Sequence, residues 1–330
     1  MASPTPNPAT SATPQRLLVW ADKGQEPFVR HVCAVGGFVV VGATSPESTH
    51  AQTVATALDV SRVGDLRESA LRGEADAVWL VADAPAEPEL LRQLREGGVA
   101  VVSSEPQPGG LADLAATGSD AATTFAPLMR QGRCFSAMID ALDQFGERRS
   151  VFLSMRSGPG QGSILARLFD AADLVERLCG TPQKVDAAFV GGDGNDEVGE
   201  SLRVHRGHLT ANLRFAGDRC GSLAISSAAG RWFRGGTILG EGGCIRFSDA
   251  GFDWFGPDGA LVDAHEVGGP DDVASVVAAA IHAAIERSDR TLGESDVSRT
   301  VALCEAARLS CRTGQGEPPQ RILNMFRSSP

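Results

Sequence analysis

Leu17-Leu18-Val19-Trp20, then Ala21-Asp22-Lys23-Gly24-Gln25-Glu26-Pro27, then Phe28, Val29 and Val32 at helical spacing up to Gly36-Gly37: this opening stretch decides the fold. A four-residue apolar run is too short for a helix and reads as a strand buried on both faces. The polar turn after it hands the chain over to a helix. Working outward, the same unit recurs. Phe38-Val39-Val40-Val41-Gly42-Ala43 is a second buried strand, followed by a helix around His50–Leu58, a short segment at Arg62-Val63 and a helix near Leu66–Leu71. Ala77-Val78-Trp79-Leu80-Val81 is a further strand, Glu89–Glu96 a helix and Val99-Ala100-Val101-Val102 another strand. Continuous apolar runs alternating with polar-faced helices mean a parallel sheet covered on both sides. Sheets of this kind hold ligands at the carboxyl ends of their strands.

After about residue 120 the texture changes. A helix at Ser136–Phe145 leads to a strand at Val151-Phe152-Leu153, and the loop Ser157-Gly158-Pro159-Gly160-Gln161-Gly162 opens an amphipathic helix, Ser163–Leu178, stopped by Gly180 and Pro182. Strand-like pieces with alternating character follow at Val185–Val190, Leu209–Phe215, Ser222–Ser227, Thr237–Leu239 and Ile245–Ser248, the profile of an open antiparallel sheet. Helices at Asp271–Glu286 and Ser295–Arg312 close the chain. The fold class is α/β: a Rossmann-like parallel-sheet domain over 16–120, then an α+β domain with an open, mainly antiparallel sheet over 121–315. Residues 1–15 read as a disordered tail and 316–330 as a loose or docking tail.

Composition narrows the functions. The 330 residues are 42% hydrophobic with net charge −11 and pI about 5.1. Without a basic stripe the chain predicts no nucleic-acid partner, and acidity disfavours an anionic membrane surface. No apolar run approaches the ~18 residues of a membrane span. The first residues lack the basic and apolar regions of a signal peptide, so the expected location is cytoplasmic. The seven cysteines (Cys33, Cys134, Cys179, Cys220, Cys244, Cys304 and Cys311) never form a CxxC pair and read as reduced thiols, not as a zinc site or disulfide framework.

Four strings, taken together, resemble the glucose–fructose oxidoreductase / inositol dehydrogenase / MocA family: Glu96-Gly97-Gly98-Val99 through Pro106, Gly162–Gly180 with Asp173 and Leu174, Gly240-Glu241-Gly242-Gly243-Cys244-Ile245-Arg246-Phe247, and the last helix, Ser295–Arg312. The resemblance runs from about residue 16 to 313. It implies an NAD(P)-binding first domain, a ligand cleft between the domains, and a second domain whose open sheet often mediates oligomerisation.

This sequence departs from the family pattern at four places. The first strand should lead into G-x-G-x-x-G, whose glycines let the backbone approach a pyrophosphate. Here Ala21, Asp22, Lys23 and Gly24 stand in the turn, with only Gly24 surviving, and Asp22 and Glu26 bring negative charge where a dianion belongs. At ~4 Å and an effective dielectric near 20, each such contact costs about 4 kcal/mol before relaxation. The second strand ends in Thr44 and Ser45 instead of an acid that would bind a ribose. Aligned on Pro106, the family's Glu-Lys-Pro lysine is Glu105 here, an anion for a cation. Anchored on Asp173 and Gly180, the family's catalytic Asp is Ala166 and its proton-abstracting His is Asp170. An ordinary carboxylate is a poor base for an alcohol.

The sequence therefore predicts an oxidoreductase homologue without conventional dehydrogenase activity, serving a binding or assembly role, with a cofactor requirement of none or NAD(P). It also predicts a small-molecule ligand in the inter-domain cleft and a homo-oligomer through the C-terminal sheet, where Trp232, Phe233, Phe252, Trp254 and Phe255 concentrate. Two alternatives remain open. One is an NAD(P)-dependent oxidoreductase of sugars or polyols with Lys23 or Arg167 standing in for lost groups. The other is a non-redox acid–base enzyme using Glu105 and Asp170. No metal site is expected: His205 and His208 are three apart, on opposite faces of a strand. The acidic loop Gly191–Glu197 lacks calcium-loop spacing. The Gly158–Gly162 loop suits either an anion or a tight helix entry.

Overall fold

The structure, a computed structural model, describes residues 13–111, 113–114, 123–158, 160–192, 198–268, 273–286 and 297–327. Most of the expected N-terminal tail, residues 193–197 of the acidic loop, Pro159, and the expected starts of the last two long helices, at Asp271 and Ser295, lie outside them.

The opening unit is strand β1 (Arg16–Trp20) and helix α1 (Glu26–Gly36). Then come β2 (Val39–Thr44), α2 (Ser48–Leu58), α3 (Leu66–Leu71), β3 (Ala77–Leu80), α4 (Pro88–Glu96), β4 (Ala100–Ser103) and the short β5 (Thr124–Phe125). The five strands form one parallel sheet in the order β2-β1-β3-β4-β5, with an isolated parallel bridge from Ala43 to Arg62 beyond β2. Apolar side chains on both faces of each strand require two covering layers. Leu18, Val78 and Leu80 pack against Leu66, Ala70, Leu91 and Leu94 of α3 and α4. Leu17, Val19 and Trp79 pack against Val29 and Val32 of α1.

The second sheet has eight strands. β6 (Arg148–Arg156), β7 (Lys184–Gly191), β8 (Gly207–Arg214), β9 (Cys220–Ser226), β10 (Phe233–Gly240), β11 (Gly243–Ser248), β12 (Gly251–Phe255) and β13 (Leu261–Glu266) are ordered β13-β12-β11-β10-β6-β9-β8-β7. Every pairing is antiparallel except β6 with β9. β12 and β13 go beyond the strands read from sequence. β13, fully exposed along its length, offers no buried face to betray it.

Helices cover one face of this sheet: α5 (Arg133–Gln144) and α6 (Ile164–Cys179), both sharing its core. α6 is buried nearly all round. Its N-cap Ser163 accepts from the Ala166 N–H, and it stops at Gly180, whose φ of +77° suits only glycine. Helix α7 (Val273–Glu286) lies late in the chain but returns to the first sheet, where Val273, Ala274, Val277 and Ile281 join the core beside α1. α8 (Val297–Thr313) packs on α6 and β7. The chain end, read from sequence as a loose or docking tail, is helix α9 (Pro319–Arg327), which buries Ile322 and Leu323 in the second core. Among the described residues no helix is long and apolar enough to cross a membrane.

Candidate functional site

The carboxyl ends of β1, β3 and β4 face the start of α6, and three groups of side chains fill that junction. The first lies in the turn between β1 and α1. A pyrophosphate in such a turn is received by backbone N–H groups at the helix N-terminus. Here the N–H of Gly24 donates to Glu26 Oε2 at 2.8 Å, and that of Asp22 donates to Gln25 Oε1 at 2.8 Å. Asp22 Oδ2 accepts from the Asp83 N–H at 2.9 Å, and Gln25 Nε2 donates to the Val81 carbonyl at 3.2 Å. Pro27, in the first turn of α1, has no N–H to offer. Gln25 and Glu26 are buried, whereas Lys23 and Gly24 are exposed and Ala21 is core. Burial, and then the neighbouring Asp22, raise the pKa of Asp83. Thr44 closes the register of β2 with Trp20, and the next residue, Ser45, keeps a buried Oγ with no partner among the described residues, the one atom here that would welcome a ribose hydroxyl. As built, the turn does not fit the pyrophosphate, because its own carboxylate and amide already hold the N–H groups.

The second group lies beyond β4. Glu105 is fully buried; Oε1 accepts from the Ser163 N–H and Oε2 from the Ser163 hydroxyl, both at 2.6 Å. A residue of the first sheet is thus fastened to the N-terminus of α6. Burial, and then Asp83, push its pKa up to about 7, against the pull of Arg203 and Ser163. Arg203, from the turn before β8, closes the opening from the other side: Nη2 donates to the Pro106 carbonyl at 2.6 Å and Nη1 to that of Asp83 at 3.5 Å. A side chain on Gly109 would collide with this guanidinium.

The third group is a buried ion cluster under α6. Asp170 accepts from the Met129 N–H at 2.6 Å and from Arg234 Nη1 at 3.2 Å. Arg234 Nη2 and Nε also reach Asp249, at 2.8 and 3.1 Å, and Asp249 accepts from Trp232 Nε1 at 3.0 Å. Burial opposes the charge on Arg234, and Asp170 and Asp249 more than restore it. The Trp232 ring packs against both Arg167, 4.4 Å away, and Arg234, 5.1 Å away. Ala166, one turn before Asp170, is a buried methyl.

The structure therefore brings Glu105, Ala166, Arg167 and Asp170 to one end of α6, and leaves Lys23 out in solvent. All four oxygens of Glu105 and Asp170 are bonded inside the protein, an arrangement suited to holding elements together and poorly suited to proton transfer. Sequence reasoning missed Arg203, Arg234, Asp249 and the fastening role of Ser163. Only Ser163 carried a local signal, as an N-cap residue just after a glycine loop. His205 follows a single 3₁₀ turn and accepts from the Gly199 N–H at 3.1 Å, while His208 is exposed on β8. No cluster of potential metal ligands occurs among the described residues. Of the aromatics, Phe252 and Trp254 belong to the core, whereas Phe233 is 37% exposed on the open face.

No family model and no curated protein matches the chain by sequence. Solved structures do match by fold. An oxidoreductase from Agrobacterium radiobacter in complex with NAD+, L-tartaric acid and magnesium is 18% identical, with TM-score 0.67, covering 94% of this chain and all of that one. A protein from Sinorhizobium meliloti 1021 provisionally assigned as a myo-inositol dehydrogenase is 18% identical, with TM-score 0.63, over 92% and 99%. The WlbA dehydrogenase from Bordetella pertussis, in complex with NADH and UDP-GlcNAcA, is 17% identical, with TM-score 0.61, over 93% and 99%. The chain has the two-domain fold of the oxidoreductases of the glucose–fructose oxidoreductase, inositol dehydrogenase and MocA type.

Proposed function

We propose that this chain is a binding protein on an oxidoreductase fold, cytoplasmic, without conventional dinucleotide-dependent hydride transfer. The observation that carries the reading is the filled first turn, where Glu26 and Gln25 hold the N–H groups a pyrophosphate would need. A dinucleotide would have to displace a carboxylate bonded at 2.8 Å and sit beside it. Asp170, in the position of the family's base, is tied to Arg234 and to backbone. Calorimetric titration with NADH and NADPH at low salt tests this. The expected result is no detectable heat up to millimolar cofactor. Micromolar binding by folded protein, with turnover of a sugar or polyol, would sink the reading in favour of an unconventional oxidoreductase.

The ligand of this binding protein is a small molecule held in the inter-domain cleft, and the protein acts as a homo-oligomer through its second sheet. Among the described residues, helices cover only one face of that sheet. The other leaves Phe152 41%, Val190 58% and Leu239 39% exposed, apolar area of the kind that marks an interface between subunits. Phe152→Glu on the central strand β6 is expected to convert the oligomer to monomer in sedimentation velocity. A wild-type chain already monomeric at micromolar concentration counts against the oligomer.

A further inference from the structure

Arg167 is fully buried, yet none of its Nε, Nη1 and Nη2 atoms has a hydrogen-bond partner among the described residues. Asp170 Oδ2 stands 3.8 Å from Nη1, beyond hydrogen-bond range, and is already held by Arg234. A buried guanidinium without acceptors carries the desolvation cost of its charge with none of the bonds that normally offset it. Burial pulls its pKa down to about 10, and Asp170 only partly opposes this.

The side chain is held in place all the same. Trp232 stacks on it, and its Nη2 lies in ordinary contact distance of Gly162, 3.4 Å from where a Cβ there would stand. The guanidinium thus reaches back to Gly162, just ahead of the N-cap of α6. Three unpartnered guanidinium nitrogens call for an acceptor. One water molecule accepts at most two hydrogen bonds, whereas a guanidinium presents five N–H donors in a planar fork that a carboxylate matches in pairs.

The geometry points to a binding site for a small organic acid, its carboxylate gripped by Arg167 at the start of α6. This rests on the reading of the chain as a binding protein and names the chemistry of its ligand.

The test is calorimetric titration of the full-length chain with succinate, using uncharged succinamide and sodium chloride at matched ionic strength as controls. Succinate is expected to bind and succinamide not. Affinity is expected to fall about tenfold or more in Arg167→Met. Arg167→Lys, which keeps the charge and loses the fork, is expected to fall between. A crystal grown with succinate gives a readout independent of either variant folding: the carboxylate should lie on Arg167. Water alone on the three nitrogens, or equal succinate binding by folded Arg167→Met, overturns the inference. An NADH titration of the same sample separates the two readings. Silence to both ligands removes the organic-acid site only, whereas dinucleotide binding without a succinate response removes both.

Discussion

Arg234→Met is expected to lower stability by about 3–5 kcal/mol, the cost of removing one partner from a buried ion pair. Against a total of roughly 5–15 kcal/mol for a folded domain, that is enough to bring a protein near its unfolding threshold. Arg234 is completely buried and bonded to two carboxylates, Asp170 at 3.2 Å and Asp249 at 2.8 Å. Methionine fills a similar volume, so packing changes little. The loss comes from two carboxylates stranded in a low dielectric, with Arg167 and its 3.8 Å approach to Asp170 as the remaining cation. Urea or thermal unfolding, followed by circular dichroism, measures it. A variant within about 1 kcal/mol of wild type would mean that water reaches the cluster and screens it.

Glu105→Gln is expected to act in the opposite direction, and only above a certain pH. The folded-state pKa of Glu105, about 7, lies above the ordinary 4.5. Between those values the native protein holds a proton that the unfolded chain has released. Its contribution is therefore complete below about pH 4.5, declines as pH rises through about 7, and is level beyond. A shift from 4.5 to about 7 corresponds to at most about 3.5 kcal/mol. Glutamine cannot ionise, and its Oε1 can still accept from the Ser163 N–H. The variant should match wild type near pH 5 and exceed it by about 2 kcal/mol at pH 8. Equilibrium urea unfolding at the two pH values checks this. If wild type proves the more stable form at pH 8, the carboxylate is held ionised by Ser163 and Arg203, and the sign of the argument is wrong.

The first sheet was legible because its strands are buried on both faces and so appear as unbroken apolar runs, as in Leu17–Val19 and Ala77–Leu80. β13, Leu-Val-Asp-Ala-His-Glu, is exposed throughout and has no pattern to read. α9 begins at a proline in a polar segment, and its burial of Ile322 and Leu323 depends on a groove that only the folded second domain provides. Helix α7 was visible as a helix, but its partner was not: Val and Ala surround it on most sides, so nothing in its sequence says which sheet it covers. At the site, the resemblance located the positions Glu105, Ala166 and Asp170. What surrounds Asp170 was invisible, because Arg234 lies on β10 and Asp249 in the turn between β11 and β12. They meet Asp170 only through strand register and the placement of α6.

The return of α7 to the first sheet also sets an order of events during synthesis. The last long strand of that sheet ends at Ser103 and α7 begins at Val273, about 170 residues later. At the usual pace of translation the gap lasts on the order of ten seconds. Throughout it, the part of that face beside α1 that Val277 and Ile281 will cover stays bare on the nascent chain. The amino-terminal half cannot finish folding on the ribosome ahead of the rest, so the two halves mature together, late, once nearly the whole polypeptide has emerged.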